Sequence, residues 1–570
     1  MPPERLHGPL VAAAAALVLL VNLGGTALHD EDEPRNAACS LAMLDRGDWV
    51  VPTFNGRLRP EKPALVNWLQ IAGFSLVGRN ETGARLAGAL VSVVTCLLTW
   101  RIGRRLQGPA AGLLAGMAMA TCVWTAVAGR AATPDAPLGF ATTLAFHAFV
   151  GGIAGDGTVR VSRRRAVLIG AACGVAVLAK GPVGLVLPLT AFVASGIALA
   201  VSSCGGRRAV DGLRAVRPGW IIATSLTVSV PWYAWVGLRT DGEWLRGFFL
   251  VHNVGRFTGV MEGHAGSPFY YPIAVAVGFF PWSIVLVAAL ARGCVLACRP
   301  GDARHAAAVI TTIWVGTWVA AFSASATKLP GYVWPAYPAL ALLTASFLRE
   351  WAADDLPFGG RRRGGSPTPD RILGVAWSIL VAVGIAGGIV VVCADTGLPP
   401  SARWLALPAV IAAGGGSLAW YWQRRDFHFR ALATLSAAAV AFTAPLATFG
   451  PIALGAGSAG ARRLATALPA TGSAGAWVAY GPVPASVVFY TNTTIRSVGS
   501  AAEALRHLGT RPDGLLFVME RHAPPFDAAV ASGFRVVHRV ALPFADDLLV
   551  IGRDPTPEHL LACQVPSNEP

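Results

Sequence analysis

Asp32, Glu33 and Arg35 stand together in the run His29-Asp30-Glu31-Asp32-Glu33-Pro34-Arg35, and Glu61 and Lys62 follow in Arg59-Pro60-Glu61-Lys62-Pro63. Asp135 lies in Ala132-Thr133-Pro134-Asp135, and Lys180 precedes Gly181-Pro182. His252 and Arg256 are four residues apart, as are Lys328 and Tyr332. Phosphate oxygens take hydrogen bonds from cations and neutral donors, a role open to Lys62, Arg256 and Lys328 with Tyr332 as the phenol. Cations held in a partly dehydrated cleft stabilise charge that develops on a departing phosphate. An aspartate such as Asp32 can take the proton of an attacking hydroxyl. Pro34 two residues later puts Asp32 at a helix N-terminus, where the dipole favours the ionised form. Asp135 would orient an acceptor or a sugar. Glu61 would pair with its neighbour Lys62 or hold a divalent cation.

Each residue also has a plainer explanation. Lys180 at a helix end can snorkel to the headgroups. Tyr332 can belong to an interfacial belt, Trp49 and Trp68 can anchor a loop, and His264 can be a surface histidine. The acidic run can be a solvated loop. What favours a shared site is that acids, cations, a His and a Tyr all fall at the same side of a membrane, where ionisable groups are costly.

That membrane is required by composition. Of 570 residues, 54% are hydrophobic and only 14% charged, against about 25% charged in soluble proteins. Soluble domains of this size could not cover their surfaces, and so apolar a chain does not stay disordered. The nine cysteines show no metal-ligand or paired spacing.

A span needs about 20 apolar residues. Runs near 9–28, 84–100, 110–128, 136–154, 166–180, 182–200, 218–237, 271–291, 306–323, 332–348, 372–393, 403–422 and 431–449 give thirteen candidates. Gly181-Pro182 divides two of them or kinks one long helix. The first run is too long for a signal-peptide core and reads as a retained helix.

Arginine clusters set the orientation. Arg101, Arg104 and Arg105 follow the second span, and Arg160 with Arg163, Arg164 and Arg165 the fourth. Arg207, Arg208, Arg214 and Arg217 follow the sixth; Arg292, Arg299 and Arg304 the eighth. Arg361, Arg362 and Arg363, then Arg424, Arg425 and Arg430, complete the series. All fall on even-numbered connections, so the N-terminus is expected in the cytoplasm and the C-terminus outside. The formal net charge of +15 is then topology and attraction to membrane lipids, with no nucleic acid needed.

The expected architecture is a polytopic α-helical membrane domain over 1–449, whose first outer loop, 29–83, carries amphipathic stretches at 35–44 and 64–76. A linker or short helix over 450–475 leads to a small α/β domain over 476–570. Its strands are expected at 476–480, 515–519, 535–540 and 548–551, with helices at 501–508 and 526–531. The domain shows no phosphate loop or catalytic triad.

From about residue 10 to 345 the chain resembles the lipid-carrier-dependent glycosyltransferases of the GT-C membrane fold, in their aminoarabinose transferase/protein mannosyltransferase-like group. The resemblance rests on Asp32-Glu33-x-Arg35, Gly47-Asp48-Trp49-x-x-Pro52, Glu61-Lys62-Pro63, Asp135, Lys180-Gly181-Pro182, His252-Asn253-x-x-Arg256, Pro281-Trp282 and Lys328-Leu329-Pro330-x-Tyr332. It implies a first-loop catalytic aspartate at Asp32 and a second functional one at Asp135. It implies carrier-phosphate contacts at Lys62, Arg256 and Tyr332. Glu61 and His252 match neighbouring site residues that in some relatives approach a metal, and Arg35, Glu33 and Lys328 join the substrate-binding set. Where the family usually carries an aromatic after the first-loop Arg, this chain has Asn36.

The implied activity is inverting transfer of a sugar from a polyprenyl-phosphate carrier to a lipid, glycan or protein acceptor, at the outer face of the inner (cytoplasmic) membrane. A transporter or flippase for an anionic lipid is the rival, but transporters place such groups near the midplane on broken helices and repeats. A lipid-binding scaffold would not need both Asp32 and Asp135.

Overall fold

All thirteen apolar runs become helices, though several are short or broken. The computed structural model describes residues 2–553 except 30, 204–207, 262, 264, 268, 354–367, 394–399, 454–458, 469–476, 512, 527–533 and 541–546. His264, Arg207, the 361–363 cluster, most of the predicted 526–531 helix and the last 17 residues lie outside the described residues.

Among the described residues, seven helices are long and apolar enough to cross a bilayer: Glu81–Gln107, Val183–Val201, Ala209–Arg239, His305–Ala324, Pro369–Cys393, Arg403–Arg424 and His428–Ile452. Four of the other runs depart from the expected unbroken spans for local reasons. The first is helical only over His7–Leu19, because Asn22 adopts φ 53° and Gly24-Gly25 follows. The third divides at Cys122 into Pro109–Thr121 and Val123–Ala128. The eighth breaks around Pro281 into Tyr270–Gly278 and Leu286–Ala297. The tenth opens with a 3-10 stretch, Pro330–Ala336, before Tyr337–Ala352. Gly181, at φ 88°, separates Arg163–Lys180 from Val183–Val201, so that pair is two helices.

Small residues bring these helices close, as suits a bundle without a hydrophobic drive between lipid-bathed faces. Ala, Gly and a few large aromatics fill the principal core; Phe146 stacks on Trp314 at 4.6 Å and Phe149 on Phe192 at 4.5 Å.

The long connection after the first run folds as two helices, Asp32–Arg46 and Leu65–Val77, close to the amphipathic stretches expected. Between them the sequence reading missed a hairpin, β1 (Thr53–Phe54) with β2 (Arg57–Leu58). Its turn is Asn55-Gly56, both left-handed, the pair that a two-residue type I′ turn prefers. Helix Leu65–Val77 lies directly on Glu81–Gln107: a Cβ at Gly73 would overlap the Gly83 carbonyl.

The C-terminal domain is a five-stranded mixed sheet. Its strands are β3 (Trp477–Tyr480), β4 (Arg496–Val498), β5 (Leu515–Met519), β6 (Phe534–Val540) and β7 (Leu548–Arg553), in the order β4-β3-β5-β7-β6. β3 runs parallel to β4 and β5, and β7 antiparallel to β5 and β6. β4 was not expected, nor was helix Ala485–Thr491; both are too short to show periodicity. Helix Ala459–Ala467 occupies part of the expected linker.

Gly73→Ala should therefore destabilise the protein by about 1–3 kcal/mol, since backbone, not a side-chain tip, must move. A lowered thermal midpoint of the detergent-solubilised variant checks this; an unchanged midpoint would show that the two helices can separate freely.

Candidate active site

Asp32 opens its helix, as Pro34 led one to expect. It lines a cavity of about 580 Å³ together with Lys62, Asp135, Lys180 and Tyr332. These five come from the first loop, the starts or ends of two inner helices and the 3-10 stretch after Pro330. The cavity's apolar lining includes Trp124 and Val127 and, from the last long helix, Leu446, Ala447 and Pro451.

Burial pushes the Asp32 carboxyl up, but Lys62, Arg59, Arg35 and Lys180 outweigh it and hold the group below its ordinary value. Asp32 is thus ionised at neutral pH. Burial draws Lys62 down to about 8, opposed by Asp32 and reinforced by Lys180 and Arg256. No group among the described residues takes a hydrogen bond from its ammonium, which faces the cavity. Asp135, first residue of helix Asp135–Val150, pairs with Lys180, last residue of Arg163–Lys180. Lys180 Nζ also lies 4.9 Å from the Tyr332 ring centre. Arg256 stands at the cavity's edge, donating from Nη1 to the Tyr332 hydroxyl at 3.4 Å.

Other expected site residues are placed differently. Lys328 does not reach the cavity wall. Pro330 forces an extended residue before it, Leu329 at φ −134° and ψ 140°, so the four-residue spacing to Tyr332 is not a helical face. Lys328 Nζ donates instead to the Ser323 and Ser325 carbonyls, at 2.9 and 3.0 Å, near the C-terminus of His305–Ala324, a favourable place for a cation. Arg35 pairs with Glu31 at 2.5 Å and lies over Phe54, off the cavity wall. His252 is half-buried on a π-helical turn, Gly247–Gly255, also off that wall. Glu61 accepts from Arg59 Nε at 3.0 Å rather than pairing with Lys62. Among the described residues, no three His, Cys, Asp or Glu side chains gather to hold a metal.

Glu33 borders the cavity, but its oxygens are committed. Arg85 Nε and Nη2 donate to them at 2.9 and 2.7 Å, and the His29 and Ala132 amides at 2.7 Å each. Its carboxyl, pushed up by burial, is held low by Arg85. That geometry fits a positioning role.

Sequence reasoning missed Arg85, Arg130 and Arg59. Arg85 also binds the Leu23, Thr26 and Ala27 carbonyls at 3.1, 2.9 and 3.0 Å. Arg130 binds those of Val18, Val21 and Asn22 at 2.9 to 3.0 Å. Both sit inside or beside apolar runs, a signal that could have marked them. Arg59 is buried and donates to the Arg35 carbonyl at 3.3 Å and to Asn36 Oδ1 at 2.8 Å, while Asn36 Nδ2 meets the Ala132 carbonyl at 3.0 Å. Asn36 thus joins the first loop to the start of the helix Asp135–Val150.

The fold is that of a helical membrane protein, and the cavity pairs an ionised carboxylate with an ammonium free to meet an anion. The chain is similar to the lipid-carrier-dependent glycosyltransferases, as its motifs led one to expect: residues 61–235 match the family described as dolichyl-phosphate-mannose-protein mannosyltransferase. The undecaprenyl phosphate-alpha-4-amino-4-deoxy-L-arabinose arabinosyl transferase of Pseudomonas aeruginosa PAO1 is 31% identical over 336 residues, covering 59% of this chain and 58% of that relative. The protein of the same name from Edwardsiella ictaluri is 28% identical over 346 residues, 60% of each. The chain therefore matches about three-fifths of these relatives' length. In overall fold it is similar to ArnT from Cupriavidus metallidurans, whose crystal structure bound to undecaprenyl phosphate aligns with a TM-score of 0.74 at 24% identity, over 95% of this chain and 97% of that one. The apo form of ArnT aligns equally well.

Arg85→Met strands the Glu33 carboxylate in a buried place and should cost about 3–5 kcal/mol. The double variant Arg85→Met/Glu33→Leu should recover much of that loss. Thermal unfolding of both checks it; no recovery would mean that Arg85 acts mainly through the three carbonyls.

Proposed function

We propose that this protein is a membrane glycosyltransferase that moves a sugar from a polyprenyl-phosphate carrier to a lipid, glycan or protein acceptor. The observation that carries this reading is one cavity lined by ionised Asp32 and by Lys62, which has no hydrogen-bond partner among the described residues. Lys62 receives the carrier phosphate, with Tyr332 and Arg256 as further donors. Asp135 and Lys180, locked together, orient the sugar or the acceptor.

In the reaction the acceptor's hydroxyl oxygen attacks the anomeric carbon, and its proton passes to Asp32. The bond from that carbon to the phosphate oxygen breaks, and the electron pair leaves with the carrier phosphate. Attack from the face opposite the phosphate inverts the anomeric centre. Positive charge on Lys62 stabilises the leaving group more as its charge grows, which lowers the barrier. The apolar wall at Trp124, Val127 and Leu446 accommodates lipid.

In this reading the protein lies in the inner membrane with about thirteen spans, a cytoplasmic N-terminus and an outer C-terminal domain. The arginine clusters support that orientation. The named relatives make an undecaprenyl-phosphate-linked amino pentose the first donor to test.

Asp32→Asn should leave the purified protein folded and reduce transfer of labelled sugar from a polyprenyl-phosphate donor by roughly 10²–10⁴-fold. Turnover near that of the parent protein rules out Asp32 as the base. The donor kcat/KM should hold steady up to about pH 8 and fall above it as Lys62 loses its proton. Lys62→Arg, charged throughout, should shift that limb upward; a limb that stays put belongs to another group.

A further inference from the structure

Tyr490 ends a short helix of the C-terminal domain, yet its hydroxyl reaches the backbone beside the cavity. It accepts from the Leu28 amide at 2.7 Å and donates to Glu81 Oε1 at 3.0 Å. The lone O–H goes to the carboxylate, so a lone pair must meet the amide; both capacities are used. Glu81 begins helix Glu81–Gln107, and Arg85 follows one turn later on the same face. Arg462, also of the C-terminal part, reaches Glu81 at 3.3 Å.

These contacts bear on the strap 23–29, which leads into the Asp32 helix. Its carbonyls are held by Arg85, its His29 amide by Glu33 and its Leu28 amide by Tyr490. Leu23, Thr26 and His29 of the strap line the cavity. Val488 and Phe489 bury in one cluster with Leu28, Ala37 and Leu41, which fixes the half-buried Tyr490 against the strap. Arg85 and Glu33 belong to the membrane domain; Tyr490 brings the C-terminal domain into the same clamp.

We propose that Tyr490 is a positioning residue for transfer: its hydroxyl fixes the strap between the C-terminal domain and Glu81, and so sets where Asp32 stands. This rests on the glycosyltransferase reading. Mere adhesion between domains would affect stability and leave turnover per folded molecule alone. A displaced base, in contrast, lowers kcat with donor binding intact, because geometry at the reacting atoms is lost.

The test compares Tyr490→Phe with Asn55→Ala in the full-length protein. Asn55 makes a separate tether, exchanging hydrogen bonds of 2.8 Å with the backbone of Ile495. With a labelled polyprenyl-phosphate sugar, Tyr490→Phe should lower kcat by about tenfold or more with donor KM within about twofold. Asn55→Ala should leave kcat within about twofold of the parent. Amide exchange should quicken over 23–33 in Tyr490→Phe only. An unchanged kcat in Tyr490→Phe, or an equal loss in Asn55→Ala, overturns the proposal. If the parent protein transfers no sugar, exchange still decides: quickening confined to 23–33 upholds the strap's dependence on Tyr490 and faults the assigned reaction, and unaltered protection overturns the proposal itself.

Discussion

The buried pair of Glu33 and Arg85 is the interaction on which the loop carrying Asp32 depends. Each side chain is about 6% exposed, and removing either charge from water is expensive. Full coordination offsets that cost: two guanidinium nitrogens and two backbone amides meet the carboxylate, and the same guanidinium takes three carbonyls. A polar loop can thereby rest on the end of an apolar span without orphaned backbone groups. Asp32 is the residue before Glu33, so its position follows from this pair.

Charge around the cavity is divided unevenly. Arg59, Arg85 and Lys180 each have a carboxylate of their own. Among the described residues Lys62 makes no ion pair, and its burial loosens its proton against the field of Asp32. A site built this way holds its architecture with matched pairs and leaves Lys62, among the described residues, to meet an anion from outside. Tyr332 adds a neutral donor and, beneath Lys180, an electron-rich face.

Much of this was legible in the sequence because apolar length and polar intruders are strong signals. The thirteen runs fall on helices, and Asp32, Lys62, Asp135 and Tyr332 do share one cavity. What escaped was local backbone geometry. Lys328 was misplaced because Pro330 converts an apparent helical repeat into an extended step. The hairpin at Asn55-Gly56 was overlooked although its turn pair is a strong one, since its strands are two residues each. Arg85 and Arg130 went unremarked among apolar neighbours, and the partners that fix them are backbone carbonyls, which no side-chain pattern reveals. The pairing of Glu61 with Arg59 rather than Lys62 likewise depends on which way the chain turns at Pro60.

The cavity's ionisable groups all come from residues before 333, whereas the last long helix adds Leu446, Ala447 and Pro451 to an apolar lining that it shares with Trp124 and Val127. Substitutions in that helix can therefore reshape the room offered to a tail or a bulky guest without disturbing a proton-carrying group. The side chains of this helix that shape the room and the groups elsewhere that carry protons are thus separate sets.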